Sequence, residues 1–205
     1  GIATALVAAA AAFVACKPRG FSAGDSLDHT SDLFPDKLVN TRATWRVANV
    51  ALPVTLQLES SADTRTLKIV ANNSTLEEEV YKVTTDGISL ITFGINETFD
   101  PPLQLLKFPM RVGDGFDWSG TFTSGKPLPT NAEITTAAES ISLATGAAQA
   151  VRVDVLLKLS DGSPQPSERR MVFWFVKGEG PVRRDFGDDV REPRVEVAGN
   201  SGGSN

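Results

Sequence analysis

Apolar and polar residues alternate with a period of two along much of the chain. Residues 52–58 place apolar side chains at every second position, and residues 151–159 repeat the pattern with valines and leucines. Such alternation is typical of a strand with one buried and one solvent-exposed face. Further strand candidates are residues 41–47, 65–71, 79–84, 88–93, 116–123, 141–145, 170–176 and 182–186.

Turn-forming residues separate these candidates, for example Asn72-Asn73, Asp86-Gly87 and Asp114-Gly115. About ten short strands, with turns roughly every 8–12 residues, predict an all-β antiparallel fold, either an open barrel or a half-barrel-like sandwich. Residues 172–176 are apolar on both faces, which predicts a central strand covered on both sides. Residues 131–139 are the one segment that we interpret as a helical turn.

The first fifteen residues carry no charge, and thirteen of them are hydrophobic. This run is shorter than the ~20 residues of a spanning helix and matches the apolar region of a signal peptide. It ends at Val14-Ala15-Cys16 and is followed by Lys17-Pro18, which resembles a bacterial lipobox with Cys16 as the lipidated residue. No methionine or basic segment precedes Gly1, so we expect the start of the chain to be missing. The alternative is a buried N-terminal helix with an incidental cysteine.

These patterns divide the chain into a signal segment (1–15), a lipidated Cys16 with a tether (16–40), a β-domain (41–198) and a flexible tail (199–205). The tether is predicted because residues 17–40 are rich in Gly, Ser, Asp and Pro, without an apolar period. The net charge of −5 disfavours binding to nucleic acid, which depends on clustered cations. A single cysteine excludes an intrachain disulfide.

Two stretches resemble a known family. Pro101 to Gly113, followed by Trp118-Ser119-Gly120, and Trp174 to Arg184 are similar to motifs of bacterial envelope proteins described as TapB-like. Tyr81 to Ile88 fits the hairpin that precedes them, and the resemblance covers about residues 41–187. It implies an all-β, half-barrel-like domain on exported proteins or lipoproteins, mostly without an assigned activity.

Two motifs match families with known chemistry only in part. Gly24-Asp25-Ser26-Leu27 matches the string of GDSL hydrolases, but the single histidine, His29, lies three residues from Ser26 instead of near the C-terminus. The spacing from Gly120 to Lys126 matches a phosphate-binding loop, but Pro127 replaces the hydroxyl residue that holds magnesium. One histidine and no spare cysteine disfavour zinc. We therefore predict no nucleotide, metal or other cofactor.

We expect a non-catalytic binding or interaction module, anchored to a membrane of the bacterial cell envelope through lipid on Cys16. Because Lys17 follows the cysteine where an Asp commonly retains lipoproteins on the inner membrane, we expect the outer membrane, facing the periplasm. The partner is an unknown envelope protein. The alternatives are a carrier or sensor of an apolar ligand inside a half-barrel cavity and, more remotely, an ester hydrolase. Candidate contacts for a ligand or partner are Trp45, Trp118, Trp174, Lys177, Arg183 and Arg184.

Overall fold

The computed structural model describes residues 20–38 and 42–194, and within them the chain is almost entirely β-structure. The one helix, α1, covers Thr30–Leu33. The strands are β1 (Ser26–Leu27), β2 (Arg42–Val47), β3 (Val50–Ser61), β4 (Thr64–Ala71), β5 (Ser74–Thr84), β6 (Gly87–Phe93), β7 (Glu97–Lys107), β8 (Met110–Arg111), β9 (Gly115–Ser124), β10 (Lys126–Leu143), β11 (Gly146–Leu159), β12 (Ser167–Val176), β13 (Gly180–Asp185) and β14 (Asp189–Pro193).

Twelve of these strands, β2 to β7 and β9 to β14, form a closed antiparallel barrel. Each barrel strand pairs with the next one along the chain, and β14 pairs with both β13 and β2 to close the ring. Strands β7 and β9 meet over Thr98–Asp100, and β1 pairs separately with β8. The all-β antiparallel prediction is confirmed, but the prediction of an open or half barrel is wrong. The strands predicted from the sequence did not include β14. This strand pairs with both β13 and β2, so neither of them is left as an open edge of the sheet.

Alternation along the strands fills the barrel with apolar side chains. On β11, Val151, Val153 and Val155 point inward and are fully buried, while Arg152 and Asp154 point outward. Removing such a side chain from water contributes about 1.5–3 kcal/mol. Other inward residues with no exposed surface include Leu67, Ile69, Leu90, Leu103, Phe173 and Phe175. The interior is thus a packed core. The charged side chains that point outward make this part of the surface hydrophilic.

Residues 172–176 of strand β12 are buried on both faces, as predicted. Its outward residues Val172, Trp174 and Val176 are 6%, 4% and 4% exposed. They belong to a second apolar cluster, to which the end of the β10–β11 hairpin contributes. That end supplies Ile141 and Leu143 from β10. The buried residues of β10 have even numbers from Thr130 to Thr136 and odd numbers at Ile141 and Leu143.

The prediction of a helical turn at residues 131–139 is wrong, because this segment lies inside strand β10. Ala132, Ile134 and Thr136 are buried, while Glu133 and Thr135 between them are exposed. The alternation of apolar and polar residues is weak here because some inward side chains, such as Ala132 and Thr136, are small or polar. Segments 97–107 and 189–193 were likewise not predicted as strands, since one contains Pro101-Pro102 and the other is mostly charged.

Residues 20–38 pack against one end of the barrel, so the prediction of a tether is wrong for this segment. Leu33 and Phe34 are 0% and 2% exposed, and the Phe34 ring lies 5.0 Å from that of Tyr81. The amide of Gly178 donates to the Asp32 carbonyl at 2.8 Å. We call this end of the barrel the capped end and the opposite one the far end. Cys16, the signal segment and the tail 199–205 lie outside the described residues.

Candidate functional site

The outer face of β11, β12 and β13 carries a cross-strand row of Arg152, Trp174 and Arg183. Trp174 is the register partner of Arg152 on one side and of Arg183 on the other. The three side chains point outward because the intervening Phe173 and Phe175 point into the core. The strand pairing therefore positions an indole between two guanidinium groups, and we call these residues the Arg–Trp–Arg row.

The two arginines of the row differ in how their charge is balanced. Arg152 pairs with Glu139 at 3.1 Å and with Asp154 at 2.8 Å. The Arg183 guanidinium lies over the Trp174 ring, 4.3 Å from its centroid. Within the described ranges, no carboxylate lies at salt-bridge distance from Arg183, and its buried Nε has no hydrogen-bond partner. Arg183 is therefore a stacked cation whose charge remains available to an anion.

Arg183 lines two surface cavities. One, of about 500 Å³, runs along the outer face of β11–β13, where Arg169 and Arg170 also line it. The other, of about 650 Å³, lies between the end of the β10–β11 hairpin and β2, β13 and β14. We call the second one the hairpin cavity. Its lining includes Thr44, Ser140, Ser142, Arg183, Glu192 and Arg194. An anion in either cavity would be within reach of the same guanidinium.

The remaining predicted contacts do not join this row. Trp45 donates from Nε1 to Asp189 Oδ1 at 2.6 Å, and Trp118 donates from Nε1 to the Pro102 carbonyl at 3.1 Å. Lys177 is exposed near the capped end, 3.8 Å from Asp32. Of the three tryptophans, Trp174 alone belongs to the Arg–Trp–Arg row. Trp45 and Trp118 act as hydrogen-bonded packing residues at other places on the barrel.

Arg184, the neighbour of Arg183, points into the barrel and belongs to a buried ionic cluster. Its Nη1 lies 2.5 Å from Glu77 Oε1 and 2.9 Å from Glu79 Oε1, and its Nη2 lies 2.8 Å from Asp189 Oδ2. Arg191 pairs with Glu79 at 3.2 Å and also donates to two backbone carbonyls of β13. Both arginines are fully buried. Their charges are compensated within the core, which gives them a structural role.

The two glutamates of the cluster respond differently to their surroundings. Burial raises the pKa of Glu77, and the hydrogen bond from Arg184 offsets that effect only in part. Burial also opposes ionisation of Glu79, but Arg191 and Arg184 outweigh it and hold the pKa of Glu79 below its ordinary value. Burial, followed by the charge of Glu79, raises the pKa of Tyr81, whose hydroxyl donates to Glu79 Oε2.

Sequence reasoning missed this cluster, although one signal for it exists. Glu77 and Glu79 share the inward alternation of Tyr81 and Val83 along β5, so both carboxylates occupy core positions. A core carboxylate requires a paired cation, and Arg184 and Arg191 occupy inward positions of β13 and β14. The distance of about 110 residues between the partners conceals the pairing in the sequence.

The motifs for other chemistry occupy plain structural positions. The Ser26 hydroxyl donates to Asp28 Oδ1 at 2.6 Å, which is not the Ser–His pairing that hydrolase chemistry needs. Lys126 begins strand β10 and not a helix. In residues 20–38 and 42–194, no group of His, Cys, Asp and Glu side chains is arranged to hold a metal ion. The same part of the chain contains no helix with the length and apolarity to cross a membrane.

Comparison of the chain with models of known families, with curated proteins and with solved structures finds no match. The TapB-like resemblance therefore stays a prediction.

Proposed function

We propose that this chain is a non-catalytic binding module of the bacterial cell envelope, held at a membrane by lipid on Cys16. Its binding face is the Arg–Trp–Arg row with the two cavities that meet at Arg183. The observation that carries this proposal is the Arg183 guanidinium, stacked at 4.3 Å on Trp174 without a carboxylate partner in the described chain. A cation left unneutralised beside a cavity favours an anionic ligand or an anionic surface of a partner.

The barrel is a rigid scaffold that holds the residues of the binding face in place. Outward residues of neighbouring strands keep their relative positions because the inward residues between them are locked in a packed core. The interior positions that a carrier of an apolar ligand would need to leave empty are occupied by side chains such as Leu90, Phe173 and Phe175. We therefore place recognition on the outside of the barrel, and we retain the TapB-like family and the outer membrane as parts of the proposal.

The anchor is tested by the intact mass of the protein from a bacterial membrane fraction, after expression with a complete signal peptide. We expect cleavage before Cys16 and the added mass of acyl chains, and we expect Cys16→Ala to remove both. An unmodified protein with the same distribution in both variants would refute the anchor.

The binding face is tested by titrating the full chain with carboxylate, sulfate and phosphate ions. Binding is measured by calorimetry and by Trp fluorescence. We expect at least one anion to bind, and Arg183→Gln to weaken it by about tenfold or more, the usual effect of losing a charged hydrogen bond. Arg111→Gln is the matched control, since Arg111 is exposed on β8 and lines neither cavity. Absence of binding by all three anions would refute the assignment of this face.

A further inference from the structure

The hairpin cavity combines cations with hydroxyl groups. Arg183 and Arg194 supply guanidinium donors, and Thr44, Ser140 and Ser142 supply hydroxyl groups. The one acidic residue in the lining, Glu192, pairs with Arg46 at 2.9 Å. Because that carboxylate already has a cation partner, the lining has an excess of positive charge. We propose that the hairpin cavity binds a phosphate group, an inference that rests on the proposed binding function and specifies its ligand.

Phosphate fits this set of donors better than a carboxylate does. Each guanidinium presents five N–H donors in a planar fork, and each hydroxyl adds one more donor. A carboxylate has two oxygens, whereas a phosphate monoester has three terminal oxygens that can accept bonds from several directions. Ile141 and Pro193 line the same cavity and supply an apolar contact for an organic group attached to the phosphate.

The position of the hairpin cavity relates it to the proposed membrane anchor. Ser140 is the register partner of Gln149, and Gln149 forms a parallel bridge with Gly20. A Cβ on Gly20 would lie 2.3 Å from the Gln149 carbonyl oxygen, so this close approach requires glycine. Three residues separate Gly20 from Cys16, and the four steps from Cα to Cα span at most about 14 Å when fully extended. With lipid on Cys16, the cavity would lie within reach of phospholipid headgroups.

The phosphate can therefore come from a lipid headgroup or from a small solute, and two measurements distinguish these sources. The first titrates the chain from residue 16 onward, carrying Cys16→Ala, with inorganic phosphate and follows the amide resonances of Ser140, Ser142 and Thr44. The second measures binding of the same protein to vesicles of phosphatidylcholine with and without phosphatidic acid, whose headgroup is a phosphate monoester. Sulfate and acetate are the comparison ions. Omitting the lipid anchor separates this experiment from the test of the anchor.

We expect Arg183→Gln and Arg194→Gln each to weaken phosphate binding about tenfold or more, and Ser142→Ala to weaken it about threefold. Arg111→Gln is the control of equal charge and should change affinity by less than about twofold, since Arg111 is exposed and lines neither cavity. Ser142 is exposed, so its variant keeps the test valid if an arginine variant unfolds, which denaturation of each variant would reveal.

Binding of inorganic phosphate that depends on Arg183 and Arg194 supports the proposal with a soluble ligand as the source. Binding confined to vesicles that contain phosphatidic acid, with the same dependence on Arg183 and Arg194, supports it with a lipid headgroup as the source. Equal losses from Arg111→Gln and the two cavity variants would indicate unspecific attraction between charges and would overturn the proposal. A preference for acetate or sulfate over phosphate would also overturn it, while the broader binding function would stand.

Discussion

Two glutamates on one strand, two residues apart, show how the number of charged partners decides the state of a buried group. Glu79 lies between Arg184 and Arg191 and also accepts the Tyr81 hydroxyl. Glu77 shares Arg184 with Glu79 and Asp189. Three carboxylates thus face two guanidiniums, and Glu77 lies on the side with excess negative charge. Burial is the largest effect on the pKa of Glu77 and one arginine does not offset it, whereas two arginines outweigh burial at Glu79, so the two pKa values move in opposite directions.

We predict that Glu77→Gln changes the free energy of unfolding at pH 7 by about 1 kcal/mol or less, whereas Glu79→Gln lowers it by about 3–5 kcal/mol. The first change leaves each arginine with a carboxylate, while the second removes the only carboxylate paired with Arg191. Urea unfolding of both variants, followed by circular dichroism, measures the difference. Equal effects would contradict the assignment of Glu79 as the central carboxylate.

The same two residues predict opposite dependences on pH. Because the pKa of Glu77 is raised, this residue adds to the free energy of unfolding at low pH, and that stabilisation is lost as the pH rises through the pKa of the folded state. The lowered pKa of Glu79 means that its contribution is present above about 4.5 and is lost as the pH falls below it. Glu77→Gln should therefore remove a loss of stability that sets in as the pH rises above about 4.5. Unfolding measured at several pH values on both sides of 4.5 tests the sign.

Tyr81→Phe isolates a single hydrogen bond in the cluster. The hydroxyl donates to the buried carboxylate of Glu79, while the ring packs 5.0 Å from Phe34 and is retained in the variant. We expect a loss of about 1.5–3 kcal/mol, the usual contribution of a hydrogen bond to a charged group. A double-mutant cycle with Glu79→Gln should show strong coupling. Additive effects would mean that the hydroxyl stabilises the fold by another route.

At the scale of elements, closure of the barrel depends on its shortest barrel strand. β14 has five residues and pairs with β13 through Arg191 and Val190 and with β2 along its whole length. Without it, β13 and β2 would each present an unpaired edge, a surface prone to association with other strands. It also delivers Arg191 and Asp189 to the ionic cluster, so closure of the sheet and neutralisation of the core are linked.

We predict that Val190→Pro destabilises the barrel by at least about 1–3 kcal/mol, because proline removes a backbone donor from a strand that is paired on both sides. Val190 is 9% exposed and pairs with Arg46 on β2 and Asp185 on β13. Amide hydrogen exchange should show lost protection along β13 and β2. Val190→Thr keeps the donor and is the control. Unchanged protection in the proline variant would show that β14 is dispensable for closure.

Strands with large apolar residues at alternate positions could be predicted from the sequence, and strands with charged inward residues could not. β11 and β12 were predictable because Val153, Val155 and Phe173 make the inward positions obvious. β14 was not, because its inward Arg191 becomes stable only through Glu79, on a distant strand. Trp174 and Arg183 were both candidate contacts, but Trp174 was grouped with the other tryptophans and Arg183 with the neighbouring cations. Their separation from Trp45 and Trp118 depends on barrel register, which no local pattern contains.

At the scale of the whole molecule, the segment after the predicted lipidation site is part of the folded domain. We predict that Leu33→Ala lowers the free energy of unfolding by about 2–5 kcal/mol, as expected for a fully buried leucine. A tether would tolerate this change without effect. His29→Ala, at an exposed position of the same segment, is the control for urea unfolding. A negligible effect of Leu33→Ala would show that the segment does not stabilise the barrel.

If Cys16 carries lipid as proposed, packing of residues 20–38 against the capped end also limits how far the barrel can lie from a membrane. Only residues 17–19 remain between Cys16 and the first described residue, so the capped end would face the lipid and the far end would face away. The far end carries Val47, Val50 and Ile95, which are 41%, 58% and 84% exposed. In this orientation these apolar side chains are directed toward partners in the aqueous compartment and away from the bilayer.

Energy transfer from a dye on the barrel to an acceptor in lipid headgroups tests this orientation. Cys16 is the only cysteine, and in the lipidated protein its thiol is blocked, so Ser142→Cys and Asn49→Cys each provide one site for the dye. The two positions lie at opposite ends of the barrel, roughly 25 Å apart along its axis for tilted strands of this length. We expect strong transfer from position 142 and weak transfer from position 49. A long Gly/Ser insertion after Arg19 should abolish the difference, because it restores the reach that packing of residues 20–38 removes. Equal transfer without the insertion would show that the barrel is not held with its capped end toward the membrane.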